Sequence, residues 1–335
     1  MSALSDLTLR ARIVIVMATT AVLAVAAVGY IRLAPDRTGT TGARTDSVTT
    51  TADRVTLAPG PRLLVVSDRH LATVSRDRPG GPRAVARLEC VRVYAAAGTG
   101  VCVRPDSPWA YHLVVLDQNL HEKRAVPIPG LPNRARVSAS GRMVAWTAFV
   151  GGDSYTSSGF STRTGILDTR TGALASTLET FAVTRDGRPY RAADVNFWGV
   201  TFAADDNRFY ATMSTAGHRY LVEGDFAARA VRTLKENVEC PSLSPDGTRI
   251  AFKGAIGADP TRGWRLSVLD LASMRVTPLA ETRSIDDQAA WLDDATIAYT
   301  VRDSSGDPDV WSVPADGSGT PHLLIPEAES PAALG

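Results

Sequence analysis

From Arg62 onward the chain repeats one unit, a short apolar strand, a tight turn and a second apolar strand, recurring roughly every 40 to 55 residues. A period of that length points to a β-propeller, because a single unit of this kind cannot bury its faces alone and must stack against its neighbours. The clearest copy reads Glu239-Cys-Pro-Ser-Leu-Ser-Pro-Asp-Gly-Thr-Arg-Ile-Ala-Phe252, with turn chemistry at Pro245-Asp246-Gly247. Fainter copies lie at Val137–Trp146, Phe202–Tyr210, Trp291–Tyr299 and Val93–Cys102.

A second hairpin follows each copy: Tyr111–Leu116 with Arg124–Pro127, Gly165–Leu167 with Ala173–Leu178, Arg219–Val222 with Ala230–Leu234, Trp264–Leu269 with Arg275–Leu279, and Asp309–Val313 with Pro321–Ile325. At the start, Arg62–Val66, His70–Val74 and Arg83–Ala86 supply three strands with no first strand before them. Glu329–Leu334 resembles Glu239–Leu243 and has no hairpin of its own. The expected fold is therefore all-β: a six-bladed β-propeller over residues 58–335, closed by a C-terminal strand that completes the first blade. Closure removes the two unpaired sheet edges that an open ring would expose.

With 335 residues, 44% of them apolar, the chain can bury a sizeable core, and the repeat overrides a length-based expectation of two domains. The net charge of +1 implies no general attraction to nucleic acid. Lysine occurs only at Lys123, Lys235 and Lys253 against many arginines, a composition of the high-GC, actinomycete type.

From Ile13 to Ile31 the chain is uncharged and almost wholly apolar, the length a bilayer-spanning helix needs. Residues 1–12 are expected as a cytoplasmic tail, with Arg10 and Arg12 on the inner side, and residues 13–33 as a signal anchor. The rival is a signal peptide cleaved after Ala24-Val-Ala26, which would release the ring as a secreted protein. Residues 34–57, rich in Thr, Gly, Ser and Asp, are expected to form a flexible tether reaching on the order of 25 to 30 Å. The propeller would then lie on the extracytoplasmic side of the cell membrane, close to its surface.

Cys90 and Cys102 flank the Ala95–Gly100 turn and form a disulfide candidate in that compartment, the alternative being two small core residues. Cys240, on an innermost strand, reads as a buried thiol. The spacings of metal-binding and haem-binding cysteines are absent, and so are the G-x-S-x-G, H-E-x-x-H, Walker and G-x-G-x-x-G motifs. His70, His112, His121, His218 and His322 fall on outer strands or in loops, and no cofactor or metal is expected. Asp303-Ser-Ser-Gly-Asp-Pro-Asp309 and the loop carrying Asp153 read as plain polar loops.

The residues that open the innermost strands draw more interest. Glu89, Glu239, Asp287 and Glu329 take that place in four blades and Asn133 in a fifth. Carboxylates converging at one channel mouth would attract a cation or a basic peptide, with Trp198 as an aromatic platform beside them. The alternatives are that the acids bond arginines or backbone of the neighbouring blade, and that Trp198 packs between blades.

The run Ser242–Phe252, followed by Leu266–Leu271 and by Asp309-Val-Trp-Ser-Val-Pro-Ala-Asp-Gly317, resembles the TolB-like six-bladed propellers, in particular membrane-tethered relatives in actinobacteria. The likeness spans about residues 60 to 335 and is strongest from Glu239 to Ile325. It implies a protein-interaction module of the cell envelope. The chain departs from that family in having no second α/β domain before the ring. It is also similar to the gating propellers of prolyl oligopeptidase-type peptidases, without their hydrolase domain.

The expected function is thus a non-catalytic, membrane-anchored scaffold, monomeric, whose partners are the membrane and an envelope protein or peptide. Two alternatives stand beside it: a propeller enzyme of lyase, lactonase or cyclase type with a divalent metal in the channel, and a sensor for a small ligand or glycan.

Overall fold

Each blade forms because a strand in this ring is apolar on both faces. Along Arg62–Ser67, Leu63 and Val65 point into one hydrophobic cluster while Leu64 and Val66 point into another, the two-residue alternation of a strand buried on both sides. The computed structural model describes residues 55–107, 110–151 and 161–335 of the chain. It is an all-β, six-bladed propeller.

From the axis outward, blade 1 runs Glu329–Ala333, Arg62–Ser67, His70–Ser75, Arg83–Glu89, and blade 2 runs Arg92–Ala96, Thr99–Ser107, Ala110–Leu116, Glu122–Ile128. Blade 3 comprises Leu131–Val137, Met143–Val150, Ser161–Asp168 and the short Leu174–Ala175. Blade 4 has Asn196–Phe202, Arg208–Thr215, His218–Asp225 and Ala230–Glu236; blade 5 has Glu239–Leu243, Arg249–Ala255, Trp264–Asp270 and Val276–Pro278. Blade 6 has Ala290–Trp291, Thr296–Arg302, Pro308–Pro314 and His322–Ile325.

The closure expected from the repeat is present. Glu329–Ala333 pairs antiparallel with the first strand, matching Leu63 with Ala333, Leu64 with Ala332 and Val66 with Glu329. Gly60 N–H donates to the Leu334 carbonyl at 3.1 Å just beyond it. Each of the six hydrophobic clusters takes residues from two adjacent blades, so the core lies between blades.

The inner hairpin turns interlock neighbours. At the Ser244–Gly247 turn, Gly247 adopts φ 71° and its N–H donates to the Ser244 carbonyl at 2.9 Å, while Asp246 N–H donates to Asp294 of blade 6 at 3.1 Å. Ser140 of blade 3 likewise donates to Asp206 of blade 4 at 2.7 Å.

Three features differ from the sequence reading. The strand expected over Ala173–Leu178 shrinks to Leu174–Ala175, because Thr177 instead caps a 3-10 turn at Leu178–Thr180, accepting from the Glu179 N–H at 3.4 Å. A hairpin of Ala182–Arg185 and Arg188–Tyr190 adds to the outer edge of blade 4, pairing in parallel with Ala230–Glu236 and giving a six-stranded sheet. The end of the expected tether is part of the ring: Val55 and Leu57 are buried, and Leu57 N–H donates to the Gln118 carbonyl at 2.8 Å. A Cβ on Gly100 would meet Leu57 Cδ1 at 2.2 Å, so that glycine makes the room for it.

The expected tail, the membrane span at residues 13–33, the tether up to residue 54 and the Asp153 loop lie outside the described residues. Among the described residues, no helix is long and apolar enough to cross a membrane.

Candidate functional site

Charged residues on or just before several innermost strands bring side chains from distant blades together. Glu329, opening the inner strand of blade 1, is ion-paired with Arg92 of blade 2 and with Arg302 of blade 6, the latter at 2.6 Å. Arg92 Nε donates to the Asn133 carbonyl at 2.8 Å, extending the chain of contacts into blade 3. Arg134 lies 3.7 Å from Asp287 and 3.9 Å from Asp286, across the axis on the approach to blade 6. Asp287 also accepts the Gln288 N–H at 2.9 Å and the Thr300 N–H at 3.0 Å. Burial, the largest influence, pushes its carboxyl up, but Arg134, Arg92 and the Thr300 bond outweigh it and leave the group below the usual carboxylate range.

Glu239, opening blade 5, is almost fully buried. Its Oε1 lies 3.3 Å from Arg219 Nε and accepts the Trp264 indole N–H at 3.2 Å, and Lys253 stands over the Trp264 ring at 4.2 Å. Lys253 is in turn ion-paired with Asp286. Burial pushes the Glu239 carboxyl up, and Lys253, Arg219 and Trp264 recover only part of that shift.

Glu89 does not join this group. It ends the outermost strand of blade 1 and forms an exposed pair with Arg69. Trp198 is on the inner strand of blade 4, where it is buried at 6% exposure and presents no open platform. Asn133, Glu239, Asp287 and Glu329 do lie at the inner ends of their blades, but each sits among cations. Arg92, Arg134 and Arg136, which the sequence reading passed over, balance or exceed the acids. Their signal was the Arg134-Ala135-Arg136 alternation on an inner strand, where the two arginines share one face.

Between these side chains remains a cavity of about 20 Å³, lined chiefly by Arg92, Tyr94, Arg134, Arg136, Asp287 and Gln288. Gln288 links blade 6 to blades 5 and 4, donating to the carbonyls of Pro241 at 2.7 Å and Val200 at 3.3 Å. Interlocking, mostly paired side chains crowd this part of the ring's centre. Among the described residues no group of three or more His, Cys, Asp or Glu is placed to hold a metal ion, and each of the four acids first expected at the mouth already has a cationic partner. The donor set does not fit a divalent metal in the channel.

Two wider concavities lie on the outer flank. One, of about 570 Å³, runs beside blades 4 and 5 and is lined by Lys235, Asn237, Phe252, Ile256, Arg265 and Val276. The other, of about 450 Å³, lies on blade 4 against the added hairpin and is lined by Thr184, Asp205, Arg208, Glu223, Asp225 and Arg232.

Away from the axis, Cys90 and Cys102 are joined by a disulfide with their Cα atoms 5.4 Å apart. Cys102 is paired in register with Val93, so the bridge ties the link between blades 1 and 2 to the second strand of blade 2. Cys240 is a free, buried thiol.

No family model and no curated protein sequence matches the chain. Solved structures do share its fold. TolB from Acinetobacter baumannii superposes with a TM-score of 0.60 at 16% identity, covering 82% of this chain and 67% of that one. A chain of a nidogen/laminin complex superposes with a TM-score of 0.56 at 13% identity, covering 82% of this chain and 98% of that one. What the chain shares with these structures is the β-propeller fold.

Proposed function

We propose that this propeller is a non-catalytic binding scaffold, held on the outer side of the cell membrane by the apolar segment at residues 13–33, that engages an envelope protein or peptide through its flank and loop surfaces. The observation that carries this reading is the pairing of the inner acids. The acids that a channel enzyme would use to move a proton or hold an ion are committed to Arg92, Arg134, Arg219 and Arg302, and the cavity beside Arg92, Arg134 and Asp287 is about 20 Å³. A substrate pocket is ordinarily several hundred Å³. Concavities of that size occur on the flank of blades 4 and 5. The occurrence of this fold in TolB and in a nidogen/laminin complex supports a role in protein binding without naming a partner for this chain.

The test is affinity capture of the tagged full-length protein from detergent-solubilised membranes of its host, with metal analysis of the same eluate. A stoichiometric envelope protein and no bound metal is the expected result. A propeller recovered alone with one equivalent of a divalent ion would overturn the scaffold reading in favour of an enzyme.

A further inference from the structure

Two cations line the hollow of about 570 Å³ beside blades 4 and 5: Lys235, from Ala230–Glu236, and Arg265, from Trp264–Asp270. Neither is ion-paired with a carboxylate among the described residues, and the one acid on the hollow, Glu236, is held by His218 at 2.5 Å. Arg265 Nη2 donates to the Leu279 carbonyl at 2.7 Å, which fixes the guanidinium in place. Its Nε is sealed inside the protein, whereas its Nη1, unpartnered among the described residues, keeps access to solvent. Ser267 lies two residues along the same strand and so on the same face. It is 5% exposed, and its hydroxyl is likewise unpartnered among the described residues without being sealed. A buried hydroxyl ordinarily has a partner, so one left open on a hollow marks a place for an acceptor.

Beside these donors the wall is apolar. Val276 is 37% exposed, Pro278 is exposed and Ile256 is half-buried. Gly254 keeps the floor clear, since a Cβ there would stand 3.2 Å from the Phe252 ring. Asn237 of blade 4 exchanges two bonds with the backbone of Ala255 in blade 5, at 2.9 and 2.8 Å, so the two walls are tied together and the hollow is preformed.

Building on the scaffold reading above, we propose that this hollow docks a peptide segment of the partner in which an Asp or Glu stands beside an apolar residue. The carboxylate accepts from Lys235, Arg265 Nη1 and Ser267 Oγ, and the apolar side chain packs against Val276 and Ile256. Charge complementarity selects this occupant, because a basic or uncharged segment leaves both cations unmatched. The volume is of the size that encloses a ligand of a few residues.

The test presents the detergent-solubilised full-length protein with an array of acetylated, amidated hexapeptides. Each has a central Glu or Asp followed by Leu, Ile, Val or Phe, and is set against the same peptide with Gln or Asn. Fluorescence anisotropy then gives the affinities of the retained peptides. Binding is expected of the acidic set, weaker by about tenfold or more when the peptide carboxylate becomes an amide, and weaker to a similar degree in Lys235→Gln and in Arg265→Gln. Lys235→Gln takes no side-chain bond from the described fold, so it should melt like the parent and its loss of affinity reports on the site. Retention of no peptide, binding indifferent to the peptide charge, or unchanged affinity in Lys235→Gln would each overturn the proposal. Repeating the affinity capture with the double variant separates this site from the scaffold reading. An envelope protein captured equally by parent and variant removes the site and leaves the scaffold, whereas a parent that binds acidic peptides but captures no envelope protein keeps the site and removes the scaffold.

Discussion

Glu281 lies buried in the link between blades 5 and 6, where its carboxylate accepts from the Tyr299 hydroxyl at 2.6 Å and from Arg283 at 2.5 and 3.0 Å. Burial is the largest influence on this carboxyl and pushes it up, but Arg283 and Tyr299 together outweigh it and hold the group down to about 2. A carboxylate depressed in the folded state stabilises the fold above its unfolded value, and that contribution is lost as pH falls towards the folded value. Glu281→Gln should therefore cost on the order of 2 kcal/mol at pH 7, with the gap to the parent narrowing as pH falls below about 4. Urea unfolding across that range checks it, and a gap independent of pH would assign the loss to packing alone. At this scale Glu239, Asp287 and Glu329 could be read from the repeat, whereas Glu89 was misplaced and the partners could not be read. Arg92 and Glu329 are 237 residues apart in sequence, and only the closed ring makes them neighbours. The sign of the mouth was hidden for the same reason, since strand openings advertise Glu239 and Asp287 but not the arginines that face them.

Two strand pairs in the blades share one device, an aromatic ring laid over a glycine on the adjacent strand. Phe209 is paired in register with Gly224, and Trp146 with Gly165. A Cβ on Gly224 would come within 2.1 Å of the Phe209 ring, and one on Gly165 within 2.2 Å of Trp146. Gly224→Val should displace Phe209 from the core between blades 3 and 4 and cost about 2 kcal/mol or more. Chemical denaturation would show this, and a variant as stable as the parent would mean the ring can turn aside at no cost. The hairpin added to blade 4 shows what the repeat conceals at this level. Its turn, Asp186-Gly187, has positive φ at both residues, 52° and 75°, the favoured two-residue hairpin geometry, so the local signal was present. Nothing in a four-strand period indicates that the link between two blades will return to extend one of them. The blade strands themselves were readable because alternation, turn residues and spacing all agree from Glu239 onward.

For the whole molecule, stability rests on six inter-blade cores, and two of them, at blades 1–2 and 6–1, include residues from beyond Ile325. Ala332 and Leu334 are buried in the first, and Ala328 in the second. Removal of residues 329–335 should lower the stability of the entire ring by about 3 kcal/mol or more, since it strips a core leucine and leaves the inner edge of Arg62–Ser67 unpaired. The loss should show as one cooperative transition at a lower temperature. Melting indistinguishable from that of the intact protein would mean that the closing strand contributes nothing. The disulfide between Cys90 and Cys102 spans only 12 residues and secures one local link, so it cannot replace this long-range pairing.

The pairing of Leu63 with Ala333 also sets an order of events during synthesis. Blades 2 to 6 have all their strands in hand as soon as each is made, but blade 1 waits through the manufacture of every other blade for its inner strand. A chain cut short after blade 6 but before Glu329 would hold a nearly complete ring with one raw seam, along the inner edge of Arg62–Ser67. An unpaired strand edge of that kind is a template for pairing with another chain, so the closing strand also shields the ring from edge-to-edge association.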